Sequence, residues 1–244
     1  MKSPLTAFLR FAKTGRLRWV VGSMVLVCVA IGGIAVQVWT PGETRAREAA
    51  TSEPTESDEP IQPIEAVAGL DPRKIALGRK LFHDPRLSQD NQVSCSTCHD
   101  LKTGGTDRKA RSIGIHGAVG VVNAPTVFNS GFNFSQFWDG RAHTLEEQID
   151  GPVQSSLELG SKWPEVIDKL SRSREYVQAF RQTYRDVIRS DQVKDSIAEF
   201  ERSLSTPNSR FDRYLRHNPQ ALTSREREGY NLFKSLGCAS CHQG

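Results

Sequence analysis

The chain has 244 residues, of which 37% are hydrophobic and 25% charged, a balance that is typical of a globular protein and excludes a wholly disordered one. The formal net charge is +4, but five basic residues before residue 19 account for it, so the rest of the chain is nearly neutral. A nearly neutral body argues against a nucleic-acid-binding protein. Four of the five cysteines belong to two short motifs, which leaves no disulfide framework to propose.

Residues 19–39 form an apolar run without a charged residue, and the run is about long enough to cross a membrane as a helix. Basic residues precede it, and Trp19 and Trp39 stand at its ends, where tryptophan favours the membrane interfaces. We therefore predict a cytoplasmic basic tail at 1–18 and an uncleaved transmembrane anchor at 19–39. The alternative is a cleaved signal peptide, whose apolar region is usually shorter and ends in small residues.

Residues 40–65 are rich in Pro, Glu, Ser and Thr and contain few large apolar side chains. Such a segment buries too little surface to fold, so we predict a disordered linker that tethers the following domain. The first helix is predicted to begin after Asp71, which suits the N-cap position, because Pro72 suits the first helical position.

The remaining chain has helical periodicity, and we predict an all-α fold of cytochrome c type. Thr144 and Thr223 each stand three residues before a glutamate, the spacing of a capping box. The Thr-Pro-Asn break at 206–208 predicts a boundary between a domain at 66–206 and a second domain that begins at 207–244. The apolar stripes predicted to form the core are Val166, Ile167 and Leu170; Tyr176, Val177, Phe180 and Tyr184; and Val193, Ile197, Phe200 and Leu204.

The same motif occurs twice, as CSTCH at 95–99 and as CASCH at 238–242. Two thiols at this spacing can add to the vinyl groups of one haem, and the adjacent histidine can bind its iron. A zinc site would need a second close pair of ligands near each motif, and a redox dithiol would not explain the histidine in both copies. We therefore predict two covalently attached haem c groups, held by Cys95, Cys98 and His99 and by Cys238, Cys241 and His242.

The second axial ligand of each iron is restricted by composition. The two methionines, Met1 and Met24, precede the exported part of the chain, so each iron is predicted to be open or ligated by a second histidine. Among the remaining histidines we single out His116, because the glycines on either side would let it approach an iron or move away. The alternative for His116 is an ordinary surface histidine in a loop. Histidines 83, 143 and 217 are interpreted as structural.

Several further segments resemble the bacterial dihaem cytochrome c peroxidase family, which also includes the methylamine-utilisation maturation enzyme. The resemblance runs from Leu77 to Gly160 and continues more weakly through 211–215 to the second haem motif. The matching segments are LFHDPRLS at 81–88, CSTCHDLKTGG at 95–105, NAPTVFN at 123–129, FWDGR at 137–141, LEEQ at 145–148 and GPVQ at 151–154.

The resemblance implies roles for individual residues. His116 matches the displaceable distal histidine of the peroxide-reacting haem, and Glu158 and Gln148 match the distal acid–base group and its polar neighbour. Trp138 matches a tryptophan between the two haems, and Asn123 matches a side-chain ligand of a calcium ion. Without the family context, Glu158 would be interpreted as a solvated surface charge and Gln148 as a surface amide. Trp138 would be interpreted as a packed core aromatic and Asn123 as a turn residue.

Members of this family continue for about a further domain beyond the second haem motif. The present sequence ends two residues after His242, so we expect it to be a fragment. The alternative is that the second haem is exposed and poorly ligated. The missing part would carry the distal ligand of the second haem, further calcium ligands and much of a homodimer surface.

The sequence therefore predicts an enzyme, a membrane-anchored peroxidase of the bacterial inner membrane whose catalytic domain lies in the periplasm. It would reduce hydrogen peroxide to water with electrons from a small reduced cytochrome c or a cupredoxin. An electron-transfer cytochrome without peroxidase activity, a maturation oxidase acting on a protein tryptophan and a haem-based redox sensor are the alternatives. The cytoplasmic segment is short for a signalling domain.

Overall fold

The computed structural model describes residues 59–242, and across this range the chain is all-α, with two isolated β-bridges and no strand, as predicted. The predicted tail at 1–18 and anchor at 19–39 lie outside the described residues. In the part described, no helix is long and apolar enough to cross a membrane. The helices are α1 (Pro72–Phe82), α2 (Cys95–Cys98), α3 (Leu145–Gln154), α4 (Trp163–Ser171), α5 (Arg174–Tyr184), α6 (Ser190–Arg202), α7 (Arg210–Leu215) and α8 (Ser224–Ser235).

Helices α1 and α6 form the centre of the fold. The Asp71 side chain accepts a hydrogen bond from the Arg73 N–H and Pro72 takes the first position, so α1 begins where the sequence predicts. Gly78 of α1 lies against the Ser196 carbonyl of α6, where a Cβ atom would overlap with the oxygen. Glycine therefore allows the two helices to approach closely. Helix α3 also packs against α6.

The predicted apolar stripes form the core, which confirms their interpretation. Their side chains pack with those of α1, and the rings of Phe82 and Phe200 meet edge to face with 5.3 Å between centroids. Burial of each such side chain stabilises the fold by about 1.5–3 kcal/mol. The buried members are Val166, Leu170, Tyr176, Phe180, Val193, Ile197, Phe200 and Leu204, and the partly buried ones are Ile167, Val177 and Tyr184.

The LFHDPRLS segment is held by a buried carboxylate. Asp84 accepts hydrogen bonds from the Arg86 guanidinium at 2.6 Å and from the Tyr176 hydroxyl of α5, also at 2.6 Å. Burial by itself would raise the pKa of Asp84, but these two hydrogen bonds outweigh it and hold the pKa below its ordinary value. The segment thus ties the chain before the first haem motif to the core.

The chain that leads to the second motif forms helices α7 and α8. Thr223 and Glu226 cap α8 reciprocally, as predicted. The Glu59 carboxylate accepts a hydrogen bond from Tyr230 at 2.6 Å, and Asp212 accepts one from the Ile64 N–H at 2.9 Å. Residues 59–65 therefore pack against these helices, whereas the sequence predicts a linker there. The division at residue 206 stays a prediction.

Candidate functional site

The two cysteines of the first CSTCH motif begin and end the short helix α2, and a cavity lies beside the end of this helix. Cys95 and Cys98 are free thiols on one helical turn, and Cys98 and His99 line a cavity of about 610 Å³. Ligand pockets commonly measure about 300–1,000 Å³, so the volume suits a cofactor. The motif and the space beside it therefore fit a covalently attached haem.

The imidazole of His99 is oriented by main-chain carbonyls. Its Nδ1 atom lies 3.0 Å from the Pro125 oxygen and 3.2 Å from the Gly105 oxygen. Because carbonyl oxygens only accept hydrogen bonds, Nδ1 carries the proton and Nε2 is left to bind a metal. Burial lowers the pKa of His99 and so favours the neutral ring that an iron ligand requires.

Four of the residues assigned by resemblance line this same cavity: Gln148, Glu158, Trp138 and Asn123. Gln148 lies on α3, and Glu158 lies in the turn that follows α3. Glu158 is an exposed residue and one of those that line the cavity. Burial among the surrounding atoms raises the pKa of its carboxyl group above the ordinary value, and Ser155 and Arg141 lower it to a smaller extent.

A tight loop presents Trp138 at the edge of the cavity. Phe137 has a φ of +68°, an unusual conformation for a bulky residue, and the Arg141 guanidinium covers its ring at 3.4 Å. Trp138 is 66% exposed, and its indole N–H donates a hydrogen bond to the Asn123 carbonyl oxygen at 3.2 Å. The strained backbone of Phe137 therefore belongs to a loop that lines the cavity, with Trp138, Asp139 and Arg141 also among the lining residues.

His116 is not among the residues that line the cavity. It has a φ of +53°, its side chain is 67% exposed, and Nδ1 lies 3.7 Å from a carboxylate oxygen of Asp90. Asp90 is itself held by hydrogen bonds from Ser88 Oγ and the Gln92 N–H. His116 thus lies in the predicted glycine-flanked turn, but its imidazole faces Asp90.

The second motif lies apart from this cavity. Cys238–Ser240 form a single helical turn after Gly237, which takes a left-handed conformation at the end of α8. Cys238 is half-buried, Cys241 is exposed, and the rings of His242 and Phe233 are 6.4 Å apart. Residues 59–242 contain no group of three or more His, Cys, Asp or Glu side chains placed to hold a metal ion.

Sequence reasoning missed three charged residues of the cavity, Asp139, Arg141 and Glu201. Asp139 and Arg141 lie in the FWDGR segment, in which the sequence predicts a role for Trp138 alone. Glu201 follows Phe200 and lies four residues after Ile197, so it is an acidic residue on the apolar face of α6. A charged residue on a core face was the signal that could have identified it.

Comparisons with known proteins agree with this geometry. A model of the di-haem cytochrome c peroxidase family matches residues 72–220. The chain is 48% identical to cytochrome c peroxidase Ccp of Escherichia coli K12 over 192 residues, covering 78% of this chain and 41% of the relative. It is 45% identical to the cytochrome c551 peroxidase of Nitrosomonas europaea over 190 residues, covering 77% and 57%.

The fold is similar to that of a solved MauG-like protein associated with microbial copper homeostasis. The TM-score is 0.63 and the identity 29%, and the match covers 72% of this chain and 52% of the solved one. The chain spans about half the length of the curated relatives it matches. The matched family model covers more than half of the chain, including the first haem motif and the residues around its cavity, so the chain belongs to the di-haem cytochrome c peroxidase family.

Proposed function

We propose that the protein reduces hydrogen peroxide to water with electrons from a small reduced cytochrome c or a cupredoxin. One peroxide molecule takes up two electrons and two protons and gives two water molecules. The observation that carries this proposal is the position of Glu158, which lines the same cavity as Cys98 and His99. A proton-transferring group thus stands beside the predicted haem site.

We assign proposed roles to several residues in and beside the cavity. Cys95 and Cys98 would hold the haem by thioether bonds and His99 would bind its iron, and the haem supplies the metal at which peroxide binds. Glu158 accepts a proton from the bound peroxide and returns it to the departing oxygen. Its raised pKa suits both steps, because a group that must take and release a proton works best near the operating pH.

Three further residues, Gln148, Trp138 and His116, are proposed to position the substrate, to connect the two haem sites and to control access to the first iron. Gln148 can hydrogen-bond to the peroxide from α3, and Trp138 at the cavity edge would lie on the electron path from the haem of the second motif at Cys238, Cys241 and His242. His116 is proposed as the distal ligand that leaves before peroxide binds. Its position beside Asp90 supports this proposal over a permanently bis-histidine electron-transfer cytochrome, which would need His116 on the iron.

The direct test is oxidation of reduced cytochrome c by hydrogen peroxide, measured with the chain after both haems have been attached. The Glu158→Ala variant is measured alongside, and Glu165→Ala in the first turn of α4 is a control outside the cavity. We expect turnover to fall by about 10²- to 10⁴-fold in Glu158→Ala and to persist in the control. Unchanged turnover in Glu158→Ala would reject the assigned role, and haem-loaded protein without turnover would favour electron transfer or maturation chemistry.

We further propose that residues 19–39 anchor the protein in the bacterial inner membrane with the haem domains in the periplasm. The uncharged run and its basic flank support this orientation. Retention of the protein in washed membranes, and its release when 19–39 are deleted, would test the anchor.

A calcium ion near Asn123 and a homodimer are proposals that rest on the family resemblance. Calcium-dependent thermal stability and sedimentation would test them.

A further inference from the structure

Glu201 is an acidic side chain that lines the first haem cavity without a partner. It projects from the last turn of α6, is 7% exposed, and shares the cavity wall with Cys98 and His99. Within the described part of the chain, its carboxyl group has neither a hydrogen bond nor an ion pair. Buried carboxyl groups are normally paired, so this one requires an explanation.

The charges around Glu201 do not neutralise it. Arg202, its neighbour on α6, is engaged elsewhere, since its guanidinium lies 2.6 Å from Glu146 of α3 and 3.6 Å from Glu199. Glu146 is a like charge, and the Cys95 thiol of α2 is the other titratable group that interacts with Glu201.

The other charged groups that line the cavity are Glu158, Arg141 and Asp139. Arg141 and Asp139 form an ion pair with each other at 2.7 Å. Among residues 59–242, no cation forms an ion pair with Glu201, and Arg202 acts on it only at longer range.

Two consequences follow for a carboxyl group in this position. Burial is the main reason that its pKa rises to about 8, with Glu146 raising it further and Arg202 lowering it. The group therefore holds a proton at neutral pH. When it ionises at higher pH, the uncompensated negative charge acts on whatever fills the cavity, because the low dielectric of the interior screens it weakly.

We propose that Glu201 faces the haem attached to Cys95 and Cys98 and makes the reduction potential of that haem depend on pH. Reduction of the ferric haem adds one electron, and a nearby carboxylate opposes the added charge. With Glu201 ionised, uptake of one electron from the donor is therefore accompanied by uptake of one proton from solvent onto Glu201. With Glu201 already protonated, the electron enters without a proton.

The inference rests on the haem attachment of the proposed function but not on the peroxide reaction. The potential of the first haem is measured by redox titration of the full chain, followed by absorption, from about pH 6 to about pH 10. A variant with Cys238→Ala and Cys241→Ala, which lacks the second attachment site, separates the signals of the two haems. Glu201→Gln replaces the acid by a neutral side chain of the same shape, and Glu146→Gln is the control because Glu146 interacts with Glu201 but does not line the cavity.

We expect the reduction potential of the first haem to fall as pH rises through about 8. In Glu201→Gln this decrease should be absent. At about pH 6 the two proteins should have the same potential, and Glu146→Gln should keep the fall. The same pH dependence in Glu201→Gln and in the unsubstituted chain would overturn the proposal.

A second readout does not depend on the folding of the variant. Infrared difference spectra between the reduced and oxidised unsubstituted protein, recorded near pH 9, should show a protonated carboxyl band that appears on reduction. Absence of that band would also overturn the proposal. Loss of peroxide turnover with a retained pH-dependent potential would reject only the peroxidase function.

Discussion

The backbone N–H of Ile115 donates a hydrogen bond to the carbonyl oxygen of Glu158, with 2.9 Å between the two atoms. His116, the predicted distal ligand, is the next residue along the chain, and Gly114 lies against the carbonyl of Leu157. The turn that carries His116 and the turn that carries Glu158 are thus joined through their main chains. Movement of His116 and placement of the Glu158 carboxyl group should therefore be coupled.

Substitution of Gly114 by alanine tests this coupling. The added Cβ would overlap with the Leu157 carbonyl, so the two turns must separate. We expect a loss of about 1–3 kcal/mol in the free energy of unfolding and a fall in peroxide turnover, with haem attachment retained. Thermal unfolding and turnover are measured together. Gly229→Ala is the matched control, since no part of residues 59–242 outside its own helix lies within 4 Å of a Cβ added there, and it should stabilise the protein by up to about 1 kcal/mol.

Asp90 is expected to hold His116 away from the cavity. Asp90→Asn keeps an oxygen for Ser88 and Gln92 but removes the charge that faces the imidazole. Because His116 is largely exposed, its pair with Asp90 is weak, so the fraction of first haem ligated by His116 should rise by up to about fivefold. Absorption spectra of the ferric protein measure this fraction. In a His116→Ala background the Asp90 substitution should have no effect on ligation, and an equal spectral change there would contradict the assignment.

Turnover is expected to be lost on the acid side of the pH profile. Burial raises the pKa of Glu158, and only its carboxylate form accepts the peroxide proton, so activity falls as pH drops through that raised pKa. The charge of Arg141 partly offsets the effect of burial. Arg141→Gln should therefore move the acid limb of kcat/KM to higher pH, whereas Arg141→Lys should leave it in place. If the acid limb of kcat/KM lay at the same pH in both variants, the charge of Arg141 would not act on Glu158.

The buried carboxylate of Asp84 should contribute to stability in a pH-dependent manner. Its pKa is lower in the folded protein than its ordinary value of 3.8, so its contribution is complete above that value and is lost as pH falls through the folded-state pKa. Asp84→Asn removes charge-assisted hydrogen bonds from Arg86 and Tyr176 and should cost about 2–3 kcal/mol at neutral pH.

Denaturant unfolding of Asp84→Asn at neutral and acidic pH checks this expectation. The difference in the free energy of unfolding between Asp84→Asn and the unsubstituted protein should become smaller at acidic pH, where Asp84 itself is protonated. Asp168→Asn, which removes one exposed partner of an ion pair with Arg172 on α4, should cost less than about 1 kcal/mol. A pH-independent cost of Asp84→Asn would show that shape, and not charge, determines its role.

The sequence by itself determined the two haem-attachment motifs and most of the helices. Spacing within Cys95–His99 is a local property that specifies haem attachment wherever the motif lies. The start of α1 after Asp71 and the cap of α8 at Thr223 also follow from neighbouring residues, because a cap is made within one turn of helix. The core of α4, α5 and α6 followed from periodicity, since one face of an amphipathic helix must be buried.

The tertiary structure decided which side chains meet. The sequence placed His116 in a glycine-rich turn, but only long-range packing shows that it faces Asp90 and that its turn is bonded to Glu158. The sequence puts Glu201 on the apolar face of α6, but only the packing of α6 against the cavity shows that it is a buried acid with no partner among residues 59–242. Burial and pairing depend on residues distant along the chain, and no local pattern specifies those contacts.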